Sequence, residues 1–126
     1  MKVKIDTREQ FHVITIDETS LAANMTEEME NCLFPLLESD VKNVILNLGD
    51  IQTMEIAAAE SMVKIQQQFY EKNASMVLFG IQPQLENELD QLSLLEMMNV
   101  TPTESEAGDI VLMEEIEREL LNEDEV

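Results

Sequence analysis

The sequence predicts an α/β fold, in which a small mixed β-sheet with parallel crossovers carries about four packed helices. Short apolar runs of strand length alternate with longer segments whose apolar residues recur every three or four positions. The run 44–48, interrupted only by Asn47, has the composition of a parallel strand that is buried on both faces. The resulting order is β-β-α-β-α-β-α-(β)-α, which joins the parallel strands through helices.

The amino-terminal segments 2–8 and 11–17 are expected to pair as strands around a turn at 8–10. Val3 and Ile5 alternate with polar residues in the first segment, and β-branched and aromatic residues dominate the second. This pair is expected to begin the sheet.

A first helix is expected at about 25–38, because apolar residues recur there at helical spacing. Asn24 and Glu27 have the spacing of an N-cap pair that satisfies free backbone donors. Pro35 should kink this helix or end it early, since proline lacks a backbone N–H and clashes with the preceding turn. The expected buried side consists of Met29, Leu33, Leu36 and Leu37.

The centre of the chain predicts a buried strand at 43–48, a helix at about 55–72 and a further short strand at 75–80. Glu55 would lie near the helix start, where the helix dipole favours negative charge. The residues expected to share the buried face of this helix are Ala58, Met62, Ile65 and Phe69.

The last third of the chain predicts a third helix that begins at Pro83, a short edge strand at Val100 and a final helix. The segment 103–106, Thr-Glu-Ser-Glu, resembles a capping box for that final helix. The expected apolar stripes are Leu85, Leu89 and Leu92 in the third helix and Ile110, Met113, Ile116 and Leu120 in the final one. The sequence leaves open whether the acidic final helix covers the core or forms an interface.

A single domain is expected over residues 1–121, because the chain has the length of a typical domain and no linker, repeat or low-complexity block divides it. Residues 122–126 would form an acidic carboxyl-terminal tail. The sequence shows neither a secretory signal pattern nor a long apolar run, so a cytoplasmic location is expected.

Acidic residues strongly outnumber basic ones: 27 Asp and Glu against seven Lys and Arg leave a formal charge of −20. This charge repels phosphate backbones and anionic lipid surfaces, so neither nucleic acid binding nor direct membrane insertion is expected. A basic protein surface would be attracted and would associate faster. The charge by itself fits a role in solubility equally well.

No constellation of catalytic, cofactor-binding or metal-binding residues is recognisable in the sequence. His12 is the single histidine and lies among strand residues, where a partly exposed structural role is expected. Cys32 is the single cysteine and is expected to be a small buried thiol. Three glycines leave little material for a phosphate-binding loop. The sequence therefore predicts no enzyme, no cofactor and no metal site.

Three places along the chain carry a resemblance to a known family: Asn24 before the first helix, the strand 44–48, and Gly80-Ile-Gln-Pro83 after the next strand. In this order and spacing they resemble the STAS family, the domain of bacterial anti-sigma-factor antagonists, of stress-signalling scaffolds and of the cytoplasmic tails of sulfate transporters. The resemblance covers nearly the whole chain. It implies a STAS-like fold and a protein-binding module.

The family's signature at the start of the second helix is Asp-Ser-Ser-Gly, and the corresponding positions here read Glu55-Ile56-Ala57-Ala58. In regulated members a partner kinase phosphorylates the second serine, which adds about −1.5 to −2 charges and breaks the complex. Ala57 stands at that position and has no hydroxyl, and Leu21 stands where the family commonly has an aspartate. The resemblance therefore implies the fold without the usual switch. Thr53 and Ser61 are the nearest hydroxyls that could replace the lost phosphorylation site.

Two interpretations of the segment 56–58 remain open at this point. Small apolar residues at a helix start can form a permanently receptive contact for a partner, together with Asn24, Thr53 and Glu55. Alanine is also the best helix former, so the same segment fits an ordinary helix start without a function.

The resemblance implies a bacterial protein-protein interaction module that acts like an anti-sigma-factor antagonist or a stress-signalling scaffold in transcription regulation. Its expected partner is an anti-sigma factor or kinase with a basic surface. One alternative is a STAS subunit of a transport ATPase complex. Another is a STAS domain that binds a small ligand or a nucleotide, or a weak enzyme. The sequence identifies neither the partner nor the oligomeric state.

Overall fold

The computed structural model describes the backbone of residues 1–124 and the side chains of residues 1–121. Of the tail predicted at 122–126, residues 122–124 continue the backbone of the last helix, while 125–126 lie outside the described residues. The described chain holds seven strands: β1 (Val3–Thr7), β2 (Phe11–Ile16), β3 (Ser20–Leu21), β4 (Asn43–Asn47), β5 (Thr53–Met54), β6 (Met76–Phe79) and β7 (Val100–Thr101). Its α-helices are α1 (Thr26–Leu33), α2 (Ile56–Glu71), α3 (Pro83–Gln91) and α4 (Glu104–Asp124).

Five of these strands form one mixed sheet in the order β1-β2-β4-β6-β7. β1 and β2 are antiparallel, whereas β2, β4, β6 and β7 are parallel to one another. The helices α1, α2 and α3 connect successive parallel strands, as crossover connections require. β3 and β5 form a separate two-stranded parallel sheet, which the sequence did not predict. The predicted α/β architecture, a mixed sheet with parallel crossovers and four helices, is confirmed.

The parallel strands β4 and β6 are buried on both faces, because successive side chains point alternately into two cores. Val44 and Leu46 belong to a large core that also contains the buried residues of α1, α2 and α3. Ile45 belongs to a smaller core, which Ala107 and Val111 of α4 complete. The helix α4 therefore lies on the opposite face of the sheet from the other three helices.

The start of the first helix differs from the prediction. A 3-10 turn at Ala23–Met25 precedes α1, and the exposed side chain of Asn24 lies within that turn. Met25 occupies the N-cap position of α1, and no side-chain hydrogen bond caps the helix there. The predicted N-cap pair of Asn24 and Glu27 is therefore wrong, because the chain already turns before the α-helix begins.

The end of the first helix agrees with the prediction. α1 stops at Leu33, and a 3-10 segment at Phe34–Glu38 follows with Pro35 in its first turn. On the predicted inner side, Met29 and Leu33 are buried, and Leu36 and Leu37 are partly buried against the large core.

The apolar faces of α2 and α3 are largely as expected. All four predicted core positions of α2 have exposures of 0–1%. In α3, Leu85 and Leu89 are buried, but Leu92 lies just beyond the last helical residue and is 47% exposed. The prediction for Leu92 is wrong because the helical periodicity on which it depended ends at Gln91.

The final helix begins as predicted but presents a different face to the sheet. The backbone N–H of Glu106 donates a hydrogen bond to the hydroxyl oxygen of Thr103 at 3.2 Å, which caps the helix. Contact with the sheet is made by Ala107 and Val111, with Ile110 partly buried beside them. The rest of the predicted apolar stripe, Met113, Ile116 and Leu120, is exposed. Within residues 1–124, no helix combines the length and the apolar character that a membrane crossing requires.

His12 is buried, so the prediction of a partly exposed histidine is wrong. β2 has neighbouring strands on both sides, and His12 as a whole residue is 6% exposed. Its Nε2–H donates to the carbonyl oxygen of Val41 at 2.8 Å, and its Nδ1 lies 2.9 Å from the hydroxyl of Thr7. Both ring nitrogens are thereby satisfied, which is what burial of a polar group requires. Cys32 is partly buried, and this burial raises the pKa of its thiol.

Candidate functional site

The loop between β4 and α2 is held in place by the small sheet of β3 and β5. Ser20 pairs with Thr53 and Leu21 pairs with Met54 in this sheet. The backbone N–H of Glu55 also donates to the carbonyl oxygen of Leu21 at 2.9 Å. Leu21, which stands where the resemblance implies an aspartate in other members, is 1% exposed and is a core residue that anchors the loop.

The start of α2 presents apolar side chains to the surface. Ile56 is 52% exposed and Ala57 is also exposed. Glu55 occupies the N-cap position with an extended backbone, and its carbonyl oxygen accepts the N–H of Ala59 at 3.0 Å. The Glu55 carboxylate is exposed and makes no capping hydrogen bond. Ala58 is fully buried, so its predicted place in a contact turn is wrong: its side chain lies on the core side of the helix.

Two further predicted positions lie close to this helix start. Thr53 is exposed in β5, and Asn24 is exposed in a 3-10 turn that packs against α2. Ser61 is less accessible, because its hydroxyl donates to the carbonyl oxygen of Ala57 at 2.9 Å and accepts from the hydroxyl of Thr26 at 3.1 Å. We call the exposed residues Asn24, Thr53, Glu55, Ile56 and Ala57 the contact surface, after the partner contact that the sequence predicts there.

A shallow groove extends the contact surface along α2. Glu60, Lys64 and Gln67 follow Ile56 at helical spacing and therefore share its side of the helix. The groove measures about 230 Å³ and is lined by Glu60, Val63, Lys64, Gln67, Leu94 and Met97. Leu94 and Met97 are not predicted from the sequence, because the short 3-10 segment that brings them to α2 has no periodic apolar pattern.

The loops that follow β4 and β6 meet at one edge of the sheet. Gly80 has a φ of 78°, a backbone conformation that glycine adopts without steric cost. The side-chain oxygen of Asn47 accepts the N–H of Gly49 at 2.9 Å, and the amide of Gln82 donates to the carbonyl oxygen of Gly49 at 2.9 Å. These bonds hold the loop before the contact surface in a fixed relation to the turn after β6.

A polar hollow of about 540 Å³ lies beside these loops. Its lining includes the carboxylates of Asp17, Glu18 and Asp50 and the ammonium of Lys2, but no large apolar side chain. It therefore lacks the apolar lining that is typical of small-molecule sites. Among the described residues, no group of three or more His, Cys, Asp or Glu side chains is arranged to hold a metal ion.

The elements around the contact surface lie within a segment that matches a known protein family. The STAS domain profile matches residues 2–107, which is most of the chain. The chain belongs to the STAS domain family. The matched segment contains the whole contact surface and ends in the first turn of α4. Comparison with curated protein sequences found no significant match.

Solved structures share the fold of this STAS domain. A Thermotoga maritima protein assigned as an anti-sigma factor antagonist is 16% identical, with a TM-score of 0.71 over 86% of this chain and 93% of the other. The Bacillus anti-sigma factor antagonist SpoIIAA, in its unphosphorylated form, is 16% identical, with a TM-score of 0.67 over 87% and 96%. The murine anion transporter Slc26a9 is 14% identical, with a TM-score of 0.66 over 82% of this chain but only 18% of the transporter.

Proposed function

We propose that this STAS domain is a non-enzymatic protein-binding module, of the kind found in anti-sigma-factor antagonists and stress-signalling scaffolds, and that it binds its partner through the contact surface. The observation that carries the proposal is the exposure of Ile56, which is 52% accessible on the first turn of a helix. When a partner covers a large aliphatic side chain in this place, binding is favoured by about 25 cal/mol for each Å² of apolar surface removed from water.

The residues around Ile56 fit an interface. Ala57 is small, so a partner backbone can approach the helix start closely. Glu55 supplies an exposed carboxylate on one side, and the groove that ends at Leu94 and Met97 supplies an apolar floor on the other. An apolar centre with a polar rim is the usual composition of a protein interface.

Binding is proposed to be independent of phosphorylation at position 57, because Ala57 has no acceptor oxygen. A replacement switch at Ser61 would have to break the hydrogen bonds that its hydroxyl makes to Ala57 and Thr26. Thr53 is exposed and is the more accessible of the two replacement candidates. The proposed module is therefore competent to bind without control at position 57, unless a hydroxyl such as that of Thr53 has taken over the switch.

The proposed partner is an anti-sigma factor or kinase with a basic surface, in bacterial signalling that regulates transcription in the cytoplasm. The support for a basic surface is the formal charge of −20, which attracts cationic patches and repels anionic ones. Glu55 and Glu60 place part of this charge at the contact surface and its groove.

The test is the substitution Ala57→Asp, measured against the anti-sigma factor or kinase that copurifies with the protein. An added carboxylate in an apolar contact must be desolvated, so binding should weaken by at least tenfold, which is about 1.4 kcal/mol or more. Stability should change little, since acid near a helix start is favourable by about 0.3–1 kcal/mol.

Ser105→Asp is the matched control, because it adds the same carboxylate to the exposed first turn of α4, on the other face of the sheet. It should leave binding unchanged. Equal binding by the Ala57→Asp protein and the unmodified protein would place the interface elsewhere, and unfolding of the Ala57→Asp protein would show that the turn has a structural role.

A second candidate function is a STAS subunit of a transport ATPase complex. The observation that favours a role in transport is the match to a segment that makes up 18% of one anion transporter chain, in which this fold also occurs. Copurification separates the two candidates, because the partner is an ATPase subunit in one case and an anti-sigma factor or kinase in the other.

A further inference from the structure

The outer side of α4 carries a stripe of large apolar side chains that no described residue covers. Leu112, Met113, Ile116 and Leu120 are 38%, 61%, 56% and 55% exposed. We call these four residues the α4 stripe. The steps from 113 to 116 and from 116 to 120 are three and four residues, which is the spacing of a seam between two packed helices.

The α4 stripe cannot turn inward, because close contacts fix the rotation of the helix. Gly108 lies so near the ring of Phe11 that a Cβ atom built on the glycine would be 3.2 Å from the ring carbon Cζ. A Cβ atom there would be closer to the ring than an ordinary van der Waals contact, so the glycine side of α4 packs tightly against Phe11 of β2. Ala107 and Val111 are fully buried on this same side.

Polar contacts hold the second half of α4 in the same orientation. Arg118 donates hydrogen bonds to the hydroxyl of Ser75 at 3.0 Å and to the carboxylate of Glu115 at 2.8 Å. The hydroxyl of Tyr70 donates to the carboxylate of Glu114 at 2.8 Å. Residues 114, 115 and 118 thus face the domain, and the α4 stripe faces away from it.

Charges beside the α4 stripe indicate what can cover it. Asp109, Glu117 and Glu119 are exposed next to the stripe on the helix surface. Between residues 104 and 121 the one basic residue is Arg118, whose guanidinium is engaged with the domain. A second copy of this chain would place glutamates against glutamates at a formal charge of −20 per copy. Like charges placed across an interface disfavour such a pairing.

We propose that the α4 stripe is a second protein-binding surface, and that its partner is an amphipathic helix whose apolar stripe is bordered by lysine or arginine. Such a helix pairs its apolar side with Met113, Ile116 and Leu120 and its cations with Glu117 and Glu119. Opposite charges beside a helical seam set partner choice.

The α4 stripe lies on the other face of the sheet from the contact surface, and beyond residue 107, where the family match ends. One domain can therefore hold two partners at once.

The test uses a synthetic helical peptide of about three heptads, with leucine at the seam positions and lysine at the flanking positions. A second peptide has the same composition in scrambled order, and a third has glutamate in place of lysine. Affinities are measured by fluorescence anisotropy at physiological salt. The ordered lysine peptide should bind at least tenfold more tightly than either of the other two.

Ile116→Gln combined with Leu120→Gln should reduce that affinity at least tenfold, while circular dichroism remains unchanged. Leu92→Gln is the matched control, because it removes one exposed leucine outside the α4 stripe and should leave the affinity unchanged. Equal binding of the ordered and scrambled peptides would show attraction by charge alone and overturn the proposal. Sedimentation of the unmodified protein as a dimer that the double substitution disperses would also overturn it, since a second copy would then be the occupant.

Discussion

The guanidinium of Arg118 in α4 donates a hydrogen bond to the side-chain oxygen of Asn43, the first residue of β4, at 3.2 Å. The same oxygen accepts the backbone N–H of Ser75 at 2.8 Å, and the Asn43 amide donates to the carboxylate of Glu115 and to the carbonyl oxygen of Gln10. Asn43 is 4% exposed, so these partners replace water almost completely. The last helix is thereby joined to the first residue of β4 and, through Asn43, to the residues just before β2 and β6.

Arg118→Met should destabilise the fold by about 1–3 kcal/mol, because it leaves the buried Asn43 and Ser75 short of a charged donor. Chemical denaturation measures the free energy of unfolding. Arg8→Met is the control, because it also removes the ion pairs of an arginine, with Asp6 at 3.1 Å and Glu104 at 3.7 Å. These ion pairs are exposed, so their loss should cost only about 0–1 kcal/mol of stability. Equal losses in the two variants would contradict the structural role of Arg118.

The pKa of Glu115 predicts how this cluster responds to acid. Partial burial opposes its ionisation, but hydrogen bonds from Asn43 and Arg118 outweigh this effect and lower its pKa below the ordinary value of 4.5. A lowered pKa in the folded state contributes stability above pH 4.5, and this contribution is lost as the pH falls through the folded-state value. Glu115→Gln should therefore be less stable than the unmodified protein at neutral pH, and the difference should narrow in acid. A difference independent of pH would contradict the prediction.

Tyr70 gives a direct optical test of the contacts between α2 and α4. Burial, followed by the hydrogen bond to Glu114 and the charge of that carboxylate, raises the pKa of the Tyr70 phenol from 10.0 to about 12. The chain contains one tyrosine and no tryptophan, so tyrosinate absorbance reports this residue alone. The midpoint should lie near 12 in the folded protein and near 10.0 in concentrated denaturant.

The same shift has a consequence for stability, because the folded-state pKa is the higher one. The contribution of Tyr70 is fully present below pH 10 and is lost as the pH rises towards 12. The free energy of unfolding of the Tyr70→Phe protein should therefore differ most from that of the unmodified protein below pH 10. Circular dichroism records any unfolding at high pH separately. Equal titration midpoints in folded and denatured protein would show that the phenol is solvated.

Incubation with a cognate kinase and ATP should leave residues 54–58 without phosphate, because Ala57 offers no acceptor. Mass spectrometry of peptides from this segment measures the result. Phosphate on Thr53 or Ser61, together with loss of partner binding, would show that the switch has moved to another hydroxyl. Thr53→Val and Ser61→Ala, tested separately, would then identify which one is used.

The association rate with a basic partner should fall markedly between low and physiological salt, while the dissociation rate changes less. The physical reason is that long-range attraction by the charge of −20 is screened, whereas contacts made after docking are short-range. Stopped-flow mixing measures both rates. An association rate insensitive to salt would leave the charge as a determinant of solubility only.

Local signals in the sequence were sufficient for most of the fold and for the family. The continuous apolar run of β4 indicated burial on both faces, and Pro35 and Pro83 marked a helix end and a helix start, because proline acts on its own backbone. The apolar face of α2 could also be predicted, because four apolar residues at helical spacing lie on the same side of a helix. The absence of a hydroxyl at position 57 is likewise evident from the sequence alone.

Only the tertiary structure decided which side of an element meets a neighbour. Periodicity correctly placed Met113, Ile116 and Leu120 on one side of α4. It could not predict that this side faces away from the sheet. That orientation results from the packing of Gly108 against Phe11 and from the hydrogen bond of Arg118 to Asn43. Ala58 beside Ala57 has the same side chain, yet one step of the helix places the first in the core and the second at the surface. Burial depends on partners that are distant in the sequence, so it follows from the assembled sheet and not from local pattern.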